Sequence, residues 1–188
     1  MAQDSRARLV EAAYACVARY GIAKTTMDDI GREAGMSRAT AYRHFPGGKD
    51  EATLEAARFE TANFFTELAR VVGPETDLEG TLVRGLMYAR EAVETHVVLQ
   101  RVLRDEPERL VMLLTVDSER VLKYIRGFLI PRIAAMPGAP DDVAAAADYL
   151  GRMVLSFIGS PGRWDFSDPA DVRRLVRTEL LAGIASTT

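Results

Sequence analysis

Between Ser37 and Lys49 the chain reads SRATAYRHFPGGK, and most of these side chains donate a hydrogen bond or carry positive charge. Arg, Lys, His, Thr and Tyr are the residue types that bond phosphate oxygens and the base edges of nucleic acid. They act together only if one rigid element presents them on one face. A lone helix with two arginines is more often a solvated surface, so the flanking sequence has to decide.

The flanking sequence builds a positioning device. Thr25 and Thr26 suit a helix start, where a hydroxyl accepts from an orphaned backbone N–H. Thr26 with Asp29 forms a capping box with a shorter acid. Met27, Ile30 and Ala34 recur at helical spacing and give one apolar face. Gly31 permits close approach by a neighbour, and Gly35 takes the left-handed conformation where this helix must stop. Ser37 then caps a second helix to about Phe45. Ala41 and Phe45 face inward, while Arg38, Ala39, Thr40, Tyr42, Arg43 and His44 face out. Pro46-Gly47-Gly48 closes it. This is the layout of a helix-turn-helix, which places its second helix in the DNA major groove.

Composition agrees with binding at one end only. The net charge is −3, and 48% of the 188 residues are hydrophobic, so the chain is globular and not uniformly basic. Residues 1–50 carry eight Lys/Arg against six Asp/Glu, the remainder sixteen against twenty-one. Cys16 is the single cysteine, which excludes an intrachain disulfide and suits a reducing interior. It reads as a small buried hydrophobe, with a redox role as the less favoured alternative. The N-terminus MAQDSRAR lacks a signal-peptide core, and no apolar run reaches membrane-spanning length. A soluble cytoplasmic protein without membrane contact is expected. His44 and His96 are far apart, and no zinc-protease, nucleophile-elbow, P-loop or paired-cysteine pattern occurs. No enzyme activity, cofactor or metal is expected.

The whole chain is expected to be all-α, with about nine helices. Beyond the first fifty residues these cover about 49–72, 77–94, 97–104, 108–136, 141–158 and 168–184. The 108–136 helix should be irregular near 115–118 and kinked at Pro131. His96, after Thr95, suits a C-terminal cap. The division is residues 1–48, a three-helix DNA-binding domain, and residues 49–188, a larger helical ligand-binding and dimerisation domain.

The N-terminal 55 or so residues resemble the DNA-binding domain of TetR-family transcriptional regulators. Gly21, Thr25-Thr26-Met27, Ile30, Glu33 to Ser37, Thr40, Tyr42 to Pro46 and Lys49 carry the resemblance. It implies that Thr26 contacts a phosphate at its helix start and that Ser37, Arg38, Ala39 and Thr40 lie at the base-reading end. Arg38 would pair with guanine, and Thr40 would bond a base or touch a thymine methyl. Tyr42, His44 and Lys49 match phosphate-holding positions, and Arg43 suits either role. Three positions depart from the family pattern. Ala41 and Ala52 replace larger aliphatic residues, and the turn before Lys49 is one residue longer.

The resemblance also implies a homodimer on a palindromic double-stranded DNA operator, joined through the last two long helices. Val154, Leu155, Ile158, Leu175, Leu180, Leu181 and Ile184 supply apolar area there, for either that interface or the subunit core. The middle helices would hold a hydrophobic or amphipathic small-molecule effector. Candidate lining residues are Met87, Tyr88, Glu91, Met112, Tyr124, Phe128, Tyr149, Met153, Phe157 and Trp164, with His96 and Arg132 as further polar groups. A repressor released by its ligand is the expected behaviour. The alternatives are an activator, a corepressor-dependent regulator, or a helical enzyme or carrier with a DNA-binding head.

Overall fold

The computed structural model describes residues 2–184, with side chains described for residues 4–108 and 119–184. Among these residues there are nine α-helices and no strand. They are α1 (Ala2–Tyr20), α2 (Met27–Glu33), α3 (Arg38–His44), α4 (Gly48–Val72), α5 (Leu78–Thr95), α6 (Val97–Asp105), α7 (Pro107–Ala134), α8 (Val143–Gly159) and α9 (Pro169–Leu175). A π-helical segment, Val176–Leu181, continues α9. The chain forms two compact units: residues 1–64 with 95–116, and residues 65–94 with 117–188.

The first unit is built on a core of Leu9, Val10, Ala13 and Cys16 from α1, Met27 and Ile30 from α2, Ala41 from α3, Phe45 just after it, and Ala52 and Ala56 from α4. Ala41, Phe45 and Ala52 are fully buried, so the small residues at 41 and 52 leave no opening to water. Burial pushes the Cys16 thiol up, away from the reactive thiolate. Arg6 ties α1 to α4: it pairs with Glu55 at 3.0 Å and lies over the Phe45 ring at 4.8 Å. A smaller cluster joins Val17 and Ile22 to Val98 and Val102 of α6.

The second unit buries Leu78, Leu82 and Leu86 of α5 against Ile125, Leu129 and Ile133 of α7, Leu150 of α8 and Val172, Leu175 and Leu180 near the C-terminus. Gly151 lets α8 approach α7, since a Cβ there would stand 3.3 Å from Ile125. Asp142 and Asp168 cap α8 and α9, and Pro169 occupies the first position of α9, where its missing N–H costs nothing. Glu79 of α5 pairs with Arg173 and Arg177.

Three expectations change. His96 is the N-cap of α6 and not a C-terminal cap: its Nδ1 accepts from the Leu99 N–H at 3.0 Å. The last helix does not run as regular α-helix to Ile184 but widens to π-geometry at Val176. The Tyr149 hydroxyl donates to the Glu179 carbonyl at 2.9 Å, and its ring occupies the space beside Gly183 that any Cβ would need. The backbone of α7 is helical through residues 115–118.

Ala41 offers a direct check of close packing. Ala41→Leu should destabilise the first unit by about 1–3 kcal/mol, because the added carbons enter a filled core. Thermal unfolding of the variant reads this. An unchanged midpoint would show that the core has spare room.

Candidate nucleic-acid interface

The turn before α3 sets that helix in place. Gly35 has φ +66°, and two hydrogen bonds close α2: Met36 N–H to the Gly31 carbonyl at 2.8 Å, and Gly35 N–H to Arg32 at 3.1 Å. This is the Schellman arrangement, which satisfies carbonyls that a helix end leaves open. Arg8 of α1 donates to the Ala34 carbonyl at 2.6 Å. A Cβ on Gly31 would meet the Met36 carbonyl at 3.1 Å, so glycine there allows the chain to fold back over α2.

Both helix starts are capped as the sequence suggests. Thr26 accepts from the Asp29 N–H, and the Asp29 carboxylate accepts from the Thr26 N–H, both at 3.2 Å. Thr25 is instead fully buried, its hydroxyl donating to the Gly21 carbonyl at 2.7 Å. The Ser37 hydroxyl accepts from the Thr40 N–H at 3.2 Å and lies 3.0 Å from the Thr40 hydroxyl.

With Ala41 and Phe45 inward, α3 leaves Arg38, Ala39, Tyr42 and Arg43 exposed and Thr40 and His44 half-buried. Arg38 pairs with Asp28 of α2 at 3.0 Å and lies 5.4 Å from the Tyr42 ring centre. Arg38, Ala39, Tyr42 and Arg43 thus share one accessible face. Lys49 is placed differently: its ammonium donates to the Ala23 and Ile22 carbonyls at 2.8 and 3.3 Å.

Lys49 belongs to a grip on the α1–α2 link that sequence reasoning missed. Arg101 of α6 donates to the Ala18 and Arg19 carbonyls, both at 2.8 Å. The Glu106 carboxylate accepts from the Ala23 N–H at 2.8 Å and packs against Gly21, whose φ is +84°. The open carbonyls at the end of α1 thus meet cations, as the helix dipole favours. Arg101 and Glu106 stand more than 80 residues from their partners, so the pairing leaves no periodic trace.

The candidate ligand residues described here lie in the second unit. Met87, Phe128, Tyr149, Met153 and Phe157 are partly buried against its core. Tyr124 is 39% exposed and stacks on Phe65 at 4.9 Å. Tyr88 is half-buried, and Glu91 is exposed. Burial and then Glu67 raise the Tyr88 hydroxyl above its ordinary value. Arg132 lies over Phe128 at 3.7 Å and donates to that residue's carbonyl. Trp164 joins the core and walls a groove of about 390 Å³ with Arg163, Arg174, Thr178 and Glu179. Met112 lies outside the residues whose side chains are described. Leu175, Leu180 and Ile184 are buried within the subunit, whereas Val154, Leu155, Ile158 and Leu181 keep partial exposure. No cluster of potential metal ligands occurs among the described residues, and no helix among them is long and apolar enough to cross a membrane.

Residues 9–55 match the family described as bacterial regulatory proteins, tetR family. Residues 77–178 match the bacterial tetracyclin repressor, C-terminal domain. An uncharacterised HTH-type transcriptional regulator of Mycobacterium tuberculosis is 27% identical over 106 residues, 56% of this chain and 53% of the relative. The chain therefore spans about half the length of that relative. Among solved structures, the TetR family repressor AlkX from Dietzia sp., implicated in biodegradation of n-alkanes, is similar with a TM-score of 0.62 at 18% identity, over 97% of this chain and 99% of that one. A SmeT–triclosan complex is similar with a TM-score of 0.55 at 21% identity, over 98% and 93% of the two chains.

Two tests follow from this geometry. The Asp29 carboxyl is held below its ordinary value, chiefly by the Thr26 hydroxyl. Its contribution is complete above the ordinary carboxylate range and is lost as pH falls through the lowered folded value. Thr26→Ala should cost about 1 kcal/mol at neutral pH and shrink the Asp29-dependent part of the acid limb, with Thr26→Ser restoring both. Unfolding midpoints against pH decide this, and an acid limb identical to the parent's would refute it. Arg101→Ala should speed amide exchange across Gly21–Thr25 while leaving the α3 amides protected. Unaltered protection in that link would remove the grip from the account.

Proposed function

Since the chain belongs to the TetR family of bacterial regulatory proteins, we propose that it is a ligand-responsive repressor that binds a palindromic operator as a homodimer. One observation carries the reading: α3 presents Arg38, Ala39, Tyr42 and Arg43 on a single exposed face, held by a closed glycine turn over a filled core. Arg38, Ala39 and Thr40 read base edges, and Tyr42 and His44 hold phosphates, with Thr26 and Ser37 at the flanking helix starts. Arg43 serves one role or the other. Lys49, anchored on the Ile22 and Ala23 carbonyls, stands at a phosphate-holding position.

The seven residues of α3 span roughly 10 Å at the helical rise. That length reads only a few base pairs, so useful specificity requires two copies on half-sites about 34 Å apart. The partly exposed Leu155, Val154, Ile158 and Leu181, with the small exposed Ala144, Ala145 and Ala182, suit close pairing of α8 and the C-terminal helix across a two-fold axis. Partly buried aromatic and Met side chains in the second unit suit a hydrophobic or amphipathic effector. The triclosan complex of SmeT illustrates such a ligand in a protein of similar fold. Release requires only that the effector favour the dimer geometry that does not fit DNA, by a few kcal/mol.

Fluorescence anisotropy with duplexes tiling the DNA around its own gene tests the reading. One palindromic duplex should bind at least about a thousandfold more tightly than scrambled sequence at physiological salt. Hydrophobic compounds that bind the protein should weaken that complex. Equal affinity for every duplex would sink the regulator reading, and a ligand that tightens binding would replace repression relief with corepression.

A further inference from the structure

We infer that Asp28, which lies on α2 and outside the recognition helix, is a positioning residue that gives Arg38 its base selectivity. The inference rests on Arg38 being a base reader, as proposed above. Arg38 is the first residue of α3, at the positive end of the helix dipole, where a cation gains nothing from its own helix. Two groups hold its guanidinium there. The Asp28 carboxylate accepts from Nη1 at 3.0 Å, and the Tyr42 ring lies beneath at 5.4 Å. Together the ring and the carboxylate limit the positions the guanidinium can take.

An arginine has five N–H donors in a fixed fork, and one serves Asp28. Enough remain for the two parallel bonds that O6 and N7 of guanine accept. An unheld arginine would satisfy a phosphate as readily as a base. The paired one has its charge partly answered, which disfavours phosphate and leaves directional bonding to decide. Exposed ion pairs add little to stability, and both partners here are more than half exposed. The consequence of this pair is orientation. It strengthens when DNA displaces the surrounding water, because the local dielectric falls. Asp28 also stands as a negative charge beside the reading face, opposing sequence-independent attraction to the backbone.

Asp28→Ala therefore carries two opposite signs. Affinity for random duplex rises a few-fold, while preference for guanine at one position per half-site falls by roughly tenfold. Asp28→Asn keeps an acceptor without the charge and recovers part of the preference. The cap of α2 is untouched, since Thr26 and Asp29 form it.

The experiment measures dissociation constants of the full-length protein for the preferred operator and its single-base variants. It compares the parent, D28A, D28N, R38A and the D28A/R38A double variant, each checked for an unchanged unfolding midpoint. The expected result is loss of the same guanine preference in D28A and R38A, with the double variant no worse than R38A. If D28A shifts every duplex by one common factor, Asp28 is a bulk charge and the inference fails alone. If R38A keeps every base preference, the assignment of Arg38 as a reader fails, and the inference falls with it.

Discussion

The first unit depends on how the chain turns between two seven-residue helices. Neither α2 nor α3 is long enough to hold itself in water, because helix nucleation is costly and short helices are marginal. α2 packs on α1 and α3 packs on α2, and each has its open backbone groups answered. The left-handed Gly35 closes α2, and Ser37 opens α3 two residues later. That spacing carries Ile30 and Ala41 into one core. Change the turn and the face of α3 that meets solvent rotates away from its supports.

This turn also explains why the exposed face of α3 is legible in the sequence. Capping residues, glycines with special conformations and i, i+4 apolar pairs are local signals, and they dominate wherever helices are short. Thr26, Asp29, Gly35, Ser37, Ala41 and Phe45 each had a local reason to be where they are, and the structure uses them that way. The family identity follows from the same residues, together with the C-terminal match.

What was not legible depended on distance or on a choice between neighbours. His96 lies between two helices and can serve either end; the Leu99 N–H decides for α6. The resemblance matches Lys49 to a phosphate-holding position, while its bonds to the Ile22 and Ala23 carbonyls carry no local signal. The Tyr149 hydroxyl meets the Glu179 carbonyl of the π-segment from thirty residues upstream, a contact that no local signal announces. Apolar residues of α8 and the final helix carry no mark that separates a subunit core from a subunit interface. Leu175 and Leu180 turn inward, and Leu155 keeps exposure, although all three are leucines on amphipathic helices.

The grip of α6 on the α1–α2 link bears on how such a protein can be recombined. A chimera cut at residue 48 would take α1 to α3 from one parent and Lys49, Arg101 and Glu106 from another. The recipient body would then need to supply cations to the Ala18, Arg19, Ile22 and Ala23 carbonyls, and a carboxylate to the Ala23 N–H. The transferable module is thus discontinuous in the gene. It comprises the first helices, the start of α4 and a remote stretch through Glu106, and natural exchange of heads between relatives would be constrained to carry both pieces or to mutate the second.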